Sequence, residues 1–391
     1  MITKVTDKIR YIGCDDAAME LFESQYDCPE GMCYNSYLIL DRKIAVIDSV
    51  DPRCGEEWLA KIENELQGRT PDYLVQHHME PDHSGCVKML LDKYPQSTLV
   101  CSAIAAKYLP QFFEDFDMSR VQIVKEGDSL DLGEHSLSFI AANFVHWPEV
   151  LMSYCPQAKL LFSADGFGKF GVYDADEDDW ACEARRYYFN ICGKYGPQVA
   201  KVLEKAAALG EGAIETICPL HGPVLSGEKL AEALRLYTIW SHYDVETQGI
   251  FIAHASIHGG TAAAAEKMRS LLLEAGCPKV AVSDLCREDM AEAIEDAFRY
   301  GTILCCASSY DGDVFPPMHY FLHKLSIKGY QKRRIGLLEN GTWAPSAARA
   351  MKTIIEKMKD VEVVEPVVTI KSRMHEDDLP KMQELAAALL K

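Results

Sequence analysis

Residues 72–85 read DYLVQHHMEPDHSG, an apolar strand that runs into a loop crowded with histidine and carboxylate side chains. Pro81 is expected to prevent a regular helix from passing through this loop, so that alternate side chains can turn toward one point. Burying such groups together is costly without a cation, because they repel one another and lose their hydration. The loop therefore predicts a metal site with four potential ligands, which are His78, Glu80, Asp82 and His83.

Three further candidate ligands each follow an apolar, strand-like run, from which a scaffold can project side chains. These are His146, Asp165 and His221. Together with the loop they give four imidazoles and three carboxylates but no thiolate, a donor set that suits iron or manganese well and zinc less exclusively. Seven ligands are too many for one ion and suit two ions that share a bridge. Considered alone, His221 also fits a turn or a hydrogen-bonded core residue.

The other histidines outside this context are expected at the surface or in ordinary packing. They are His77, His135, His242, His254, His319, His323 and His375.

The composition of the 391-residue chain is that of a soluble globular protein, with 48% hydrophobic and 25% charged residues. Its length predicts two domains, or three small ones. The net charge of -19 disfavours binding to nucleic acids and to anionic membranes. The 14 cysteines form no C-x-x-C pair, as zinc ribbons and rubredoxin-type iron sites require. The opening MITKVTDKIRYIG lacks a signal-peptide pattern and no membrane-length apolar run occurs, so a cytoplasmic location is expected.

Up to about residue 240, hairpins and helices alternate, which predicts a layered α/β sandwich. Strands at 37–40 and 45–50 should pair around the turn at 41–43. Residues 56–67 have the apolar spacing of a helix. Further strands are predicted at 72–76, 99–101, 121–124, 137–141 and 160–163.

After Gly249 the pattern changes to a strict alternation of five strands and five helices, which predicts a parallel, doubly wound sheet. Such a sheet binds ligands at the carboxyl ends of its strands. The boundary between the two regions is expected within 241–248, a polar stretch without a clear apolar period. The strands are predicted at 250–254, 280–282, 302–306, 334–338 and 361–364, and the helices from about 261 and at 290–299, 315–327, 346–358 and 379–390.

Three loops of this second region have the composition of a flavin site. The first, 255–261, reads ASIHGGT and opens a helix, so its backbone N–H groups can surround a phosphate. No lysine follows its glycines, which excludes a Walker loop. The other two, 308–313 and 339–344, each carry one large aromatic, Tyr310 or Trp343, able to stack on a tricyclic ring. Taken singly, the glycine pair also fits a structural turn, and both aromatics fit ordinary loop packing.

The pattern H-x-E-x-D-H with a distant His, Asp and His, followed by a flavodoxin-like region, resembles the flavodiiron protein family across residues 3–390. Zinc hydrolases of the same metallo-β-lactamase-like fold usually carry histidine where this chain has Glu80. Flanking matches are NSYLI at 35–39, HSG at 83–85, HWP at 146–148 and VFPP at 314–317. The chain departs from the family in lacking an aromatic soon after Gly222, and in Ser308 and Thr342, where proline and glycine are usual.

The resemblance implies an αββα metallo-β-lactamase-like domain at 1–246 and a flavodoxin-like FMN-binding domain at 249–391. It implies that one iron is bound by His78, Glu80 and His146, the other by Asp82, His83 and His221, with Asp165 as the bridge. FMN would contact Ser256, Ile257, His258, Gly259, Gly260 and Thr261, then Ser309, Tyr310, Asp311 and Gly312, and finally Asn340, Gly341 and Trp343.

The function implied is reduction of O2 to water, of NO to N2O, or of both, with electrons passing through FMN to a non-haem diiron centre. The resemblance also implies a head-to-tail homodimer or a dimer of dimers, and a separate electron donor such as rubredoxin or a flavin reductase. The main alternative is a zinc metallohydrolase with a regulatory flavodoxin domain, and a second is an FMN electron carrier with a vestigial first domain. Tyr154 and Tyr195 are candidates for tuning the choice of gas, or packing residues.

Overall fold

A computed structural model describes residues 4–174 and 180–391 of the chain. By contacts the chain divides into two compact units, Met1–Tyr188 with Pro197–Thr238, and Phe189–Gly196 with Ile239–Lys391. Among the described helices, none combines the length and apolarity needed to cross a bilayer.

The strands of the first unit form two six-stranded sheets and two small two-stranded sheets within the described residues. The first large sheet has the order β1-β6-β7-β8-β9-β10, and the second has β11 to β16 in chain order. The strands are β1 Ile9–Tyr11, β2 Cys14–Asp16, β3 Leu21–Phe22, β4 Tyr26–Asp27, β5 Met32–Tyr34, β6 Tyr37–Ile39, β7 Ala45–Ile47, β8 Tyr73–Val75, β9 Thr98–Ser102, β10 Val121–Val124, β11 Ser129–Asp131, β12 Ser136–Ala141, β13 Leu151–Cys155, β14 Leu160–Phe162, β15 Thr216–Cys218 and β16 Leu225–Ser226.

One apolar core lies between these two sheets, because side chains from both contribute to a single buried cluster. Ile47 and Val75 enter it from the first sheet, and Leu137 and Phe162 from the second. This is the packing expected when each sheet buries one face against the other. Between the strands of the first sheet the chain forms the helices α1 Gly55–Leu66, α2 Pro81–Ser84, α3 Val87–Lys93 and α4 Ala103–Phe112. Later in the chain come α5 Trp180–Ile191, α6 Gly196–Ala207 and α7 Gly227–Ser241.

The second unit contains a five-stranded parallel sheet of order β18-β17-β19-β21-β22, with β20 paired to the end of β19. This is the doubly wound order of flavodoxin-like folds. Its strands are β17 Thr247–Ala255, β18 Val280–Asp284, β19 Tyr300–Tyr310, β20 Asp313–Val314, β21 Gln331–Asn340 and β22 Lys359–Ile370. Its helices are α8 Gly260–Glu274, α9 Met290–Arg299, α10 Pro316–Ile327, α11 Ala347–Ile355 and α12 Leu379–Leu389.

The predicted fold class is confirmed in both parts of the chain, down to the antiparallel pairing of β6 with β7. One local expectation was wrong. Pro81 does not keep helix out of the metal-ligand loop: it is the first residue of α2, which carries Asp82 and His83. Proline suits that position, because its missing N–H would have no partner in the first turn and its φ is already helical.

Candidate functional site

A buried glutamine holds the loop that connects β8 to α2. The Gln76 side-chain amide donates to the carbonyl oxygens of His78, at 2.6 Å, and of His83, at 2.8 Å. Between them Glu80 is extended, with φ −60° and ψ 139°, and precedes the first turn of α2. The loop therefore folds back around the Gln76 amide, and the side chains of His78 and Glu80 lie close together.

The first ligand group comprises His78, Glu80, His146 and Asp165, whose donor atoms lie within 4.8 Å of one another. His146 Nε2 is 3.0 Å from Glu80 Oε2 and 3.3 Å from His78 Nε2. His146 comes from the loop between β12 and β13, and Asp165 follows β14. Three separate segments thus supply this group.

The second ligand group comprises Asp82, His83 and His221, all buried. The Nε2 atoms of His83 and His221 are 3.0 Å apart, and Asp82 Oδ2 lies 3.3 Å from the first and 3.4 Å from the second. His221 follows β15, and its neighbours in the group belong to α2.

Asp165 faces both groups with different oxygens. Its Oδ2 is 3.1 Å from His146 Nε2 and 3.4 Å from His78 Nε2, whereas its Oδ1 is 3.2 Å from His83 Nε2. Burial alone would raise the pKa of Asp165, but the imidazoles of His78 and His83 hold that pKa well below its ordinary value. The carboxylate is therefore anionic and placed as a bridge between the groups.

The arrangement fits cations at both groups. In each group two imidazole nitrogens lie 3.0 or 3.3 Å apart, close enough for both to bind one cation through their lone pairs. Both carboxylate oxygens of Asp82 are buried without a hydrogen bond from any described residue. Buried charges left in this way require a metal or another counter-ion.

Residues that the sequence did not single out orient these ligands. Glu149 Oε1 is 2.8 Å from His78 Nδ1, and the backbone carbonyl of Cys33 is 2.7 Å from His221 Nδ1. The Asn35 side chain donates to the carbonyls of Pro219 and Gly222, which flank His221. In the sequence, Asn35 was noted only as part of the family-like motif NSYLI at 35–39. Glu149 lies three residues after the candidate ligand His146, and this spacing could have marked it as a hydrogen-bond partner of the ligands.

Aromatic side chains surround His221 even though none follows Gly222 soon in the chain. Phe22, Tyr34 and Tyr187 have ring centroids 5.5, 6.0 and 5.5 Å from the imidazole. They come from distant segments, so the local sequence could not show them. Tyr154 donates its hydroxyl to the Ala213 carbonyl at 2.7 Å, which is a packing role.

A separate cavity of about 680 Å³ lies at the carboxyl ends of strands β17, β19 and β21 in the second unit. Of the thirteen residues expected to contact a flavin, all but Gly259 line it. The lining residues that were not predicted to contact the flavin are Ser308, Thr342, Ala344, Ser346, Ser372 and Arg373.

One end of this cavity has the geometry of a phosphate site. Gly259 has φ +83° and directly precedes α8, so the backbone turns into the helix N-terminus. The Ser256 hydroxyl is buried there and bonds to no described residue. Thr261 Oγ1 is fixed by Ser308 at 2.8 Å and by the Asn340 amide at 3.2 Å. Helix N-termini with free donors of this kind bind phosphate.

At the other end, Tyr310 and Trp343 are 45% and 91% exposed. Side chains so exposed can cover the faces of a flat ligand. Tyr310 also packs against Phe315, with ring centroids 5.6 Å apart. The cavity therefore combines a helix N-terminus at one end with exposed aromatic side chains at the other, a combination that suits a flat ligand carrying a phosphate.

Comparison with known proteins gives a consistent picture. Residues 32–222 match the family described as ODP family beta lactamase. A nitric oxide reductase from Moorella thermoacetica is 28% identical over 393 residues, covering 97% of this chain and 96% of that protein. The rubredoxin oxygen:oxidoreductase from Desulfovibrio gigas has a TM-score of 0.90 at 23% identity, covering 100% of this chain and 98% of that one. A flavodiiron protein from Giardia intestinalis has a TM-score of 0.91 at 23% identity, covering 100% and 96%. At these identities the structural likeness shows the fold.

Proposed function

Because this chain belongs to the flavodiiron protein family, we propose that it is an oxidoreductase that reduces O2 to water, NO to N2O, or both. The observation that supports this most directly is Asp165, whose two oxygens face two separate groups of metal ligands. A bridged pair of sites suits a reaction in which one small molecule must touch two redox ions at once.

We propose that one iron is held by His78, Glu80 and His146, the other by Asp82, His83 and His221, with Asp165 shared. When bound, the diferrous pair and reduced FMN supply two electrons each, enough for the four-electron reduction of O2 to two waters and more than the two needed to convert two NO to N2O and water. Glu80, Asp82 and Asp165 would supply three negative charges toward the four positive charges of two ferrous ions. Phe22, Tyr34 and Tyr187 pack their rings around His221 and would limit the entry of water.

We propose that FMN occupies the cavity of the second unit. The backbone N–H groups of residues 256–261 and the Ser256 hydroxyl would bind its phosphate, and Tyr310 and Trp343 would cover its ring. Asn340 holds this site together, because it accepts from the Ser372 backbone N–H at 2.9 Å and donates to Thr261 Oγ1.

A zinc metallohydrolase is the competing function, and the presence of Glu80 argues against it. Glu80 Oε2 lies within 3.3 Å of both imidazoles of its group, so a hard anionic oxygen enters a site where a zinc enzyme of this fold usually presents a third imidazole. Elemental analysis of freshly purified protein should give two irons per chain. Two zincs and no iron would favour the hydrolase.

The partners follow from the same proposal. Since no nicotinamide fingerprint or rubredoxin-like cysteine pair occurs in the sequence, electrons would come from a separate donor, such as a rubredoxin or a flavin reductase. We propose a head-to-tail dimer, or a dimer of such dimers, that brings each FMN beside the irons of the partner subunit. Light scattering on active protein tests this, and a monomer with full turnover would refute it.

The proposed function is tested by removing one ligand without disturbing the flavin. His83→Ala should abolish turnover of both gases, because it opens the second group and removes a partner of Asp165, while FMN content stays at that of the wild type. His323→Ala, which truncates an exposed histidine of α10, is the matched control and should retain activity. Full gas turnover by His83→Ala would contradict the assignment of the metal centre.

A further inference from the structure

The two ligand groups are chemically equal in the side chains that face the metal positions. Each contributes two imidazoles and one carboxylate of its own, and each faces one oxygen of Asp165. The partners of the outer ring nitrogens, behind these ligands, are a place where the two groups can differ in how tightly they hold a cation.

Among the described residues, the outer ring nitrogen of one histidine in the first group meets a buried carboxylate, whereas those of His83 and His221 in the second group do not. In the first group His78 Nδ1 is 2.8 Å from Glu149 Oε1, and Glu149 is completely buried. In the second group His221 Nδ1 meets only the neutral carbonyl of Cys33, at 2.7 Å, and His83 Nδ1 is buried without a hydrogen bond to any residue that the structure describes.

Glu149 also fixes the backbone beside its histidine. The same Oε1 atom accepts from the N–H of Met79 at 2.9 Å, so one oxygen orients both the ring of His78 and the peptide that follows it. Since Glu149 lies three residues after His146, it joins the two loops that supply most of the first group. Its second oxygen, Oε2, is buried without a hydrogen bond from the described residues, so the charge is not neutralised by a further donor.

We propose that Glu149 is a positioning residue that makes the group of His78, Glu80, His146 and Asp165 the tighter of the two metal sites, so that iron enters it first and leaves it last. This rests on the proposed diiron function. A carboxylate that accepts from the outer nitrogen of a metal-bound histidine raises the basicity of the ligand and fixes its tautomer. A backbone carbonyl also fixes the tautomer of the histidine, but it adds no negative charge.

The test is a titration of the metal-free full-length protein with Fe2+ under anaerobic conditions, in competition with a chelator. The wild type should bind two irons in two resolved steps. Glu149→Leu should weaken the first step by about 10–100-fold, the usual effect of losing such a partner, and leave the second step within about two-fold. Glu149→Gln keeps the size and one acceptor oxygen but not the charge, so it should fall between the two and guards against misfolding of the leucine variant.

Asp41→Asn is the matched control, because Asp41 is also a buried carboxylate bonded to a histidine, His135 Nδ1 at 2.8 Å, but that histidine is not a ligand. It should lower the melting temperature and leave both binding steps unchanged. Two irons bound with the same isotherm in the wild type, Glu149→Gln and Glu149→Leu would overturn this inference alone. Uptake of no iron by the wild type would overturn the proposed function together with it.

Discussion

Asn35 shows how much of the metal centre depends on one side chain that never faces the metal. It is fully buried, and its amide donates to the carbonyls of Pro219, at 2.8 Å, and Gly222, at 2.7 Å. Its own oxygen accepts from the Tyr11 hydroxyl at 3.0 Å. The turn that presents His221 is thus closed by a residue from a distant segment of the chain, directly after β5 and two residues before β6.

Asn35→Ala should therefore destabilise the protein and loosen the second ligand group. It leaves the Gly222 carbonyl buried without its donor, at a cost of about 1–3 kcal/mol, and should lower the iron content of purified protein. Urea denaturation and elemental analysis measure the two effects.

Tyr37→Phe is the comparison, because Tyr37 donates to the same Pro219 carbonyl at 2.8 Å but Asn35 remains there as a second donor. It should cost about 1 kcal/mol or less. Equal losses in both variants would show that Asn35 has no special part in holding the turn.

At this scale the sequence predicts the candidate metal ligands better than the residues that orient them by hydrogen bonds. The seven candidate ligands were visible because charged and imidazole groups crowd one loop and because the remaining three end apolar runs. Glu149 and Asn35 were not, since a carboxylate or an amide becomes a support only through partners 71 and 184 residues away in the chain. No local pattern encodes such distances.

At the scale of elements, the approach of α8 to the end of β22 shapes the phosphate end of the cavity. A Cβ atom on Gly260, the first residue of α8, would lie 2.3 Å from the Ser372 carbonyl oxygen and 3.3 Å from the Asn340 amide nitrogen. Only glycine lets the helix start this close to the segment that follows β22. This is a backbone contact, so it cannot be relieved by turning a side chain.

Gly260→Ala should accordingly weaken FMN binding, by about 10–100-fold if the misfit costs the usual 1–3 kcal/mol of an overpacked site. Fluorescence titration of the flavin-free protein measures it. Gly259→Ala is the control: its Cβ would meet nothing within 4 Å, so it costs only the strain of φ +83°, roughly 1 kcal/mol. A smaller effect at residue 260 than at residue 259 would contradict the close-approach argument.

Helices and strands whose apolar residues recur at a regular spacing were predictable from the sequence, and those without such a spacing were not. Helix α9 and strand β10 occur at the predicted residues, because their apolar spacing and turn boundaries agree. Strand β13 was missed: it lies between β12 and β14 with all five residues buried, so it lacks the alternation that marks a half-exposed strand. The helix α2 was missed because Pro81 was expected to prevent a helix, whereas it is the first residue of one.

At the scale of the whole molecule, each compact unit has its own apolar core and its own candidate cofactor site. The core of the first unit lies between its two sheets, and that of the second packs α8 and α12 against the parallel sheet, with Ile252, Met268 and Leu385 among its members. The candidate metal ligands all belong to the first unit, and the lining of the proposed flavin cavity belongs to the second. A cofactor should therefore stabilise the unit that binds it.

Calorimetry of four preparations checks this: holoprotein, protein without iron, protein without FMN and protein without either. A cofactor present at 100 times its dissociation constant adds about 2.7 kcal/mol to the stability of the unit that binds it. For a unit of this size, each kcal/mol moves the melting temperature by about 2–4 °C. Removal of iron should therefore lower the transition of the first unit by roughly 5–10 °C and leave that of the second unit in place. Removal of FMN should lower the transition of the second unit and leave that of the first in place. A single transition that moves equally with either cofactor would mean that the units unfold together, and that neither cofactor acts on its own core alone.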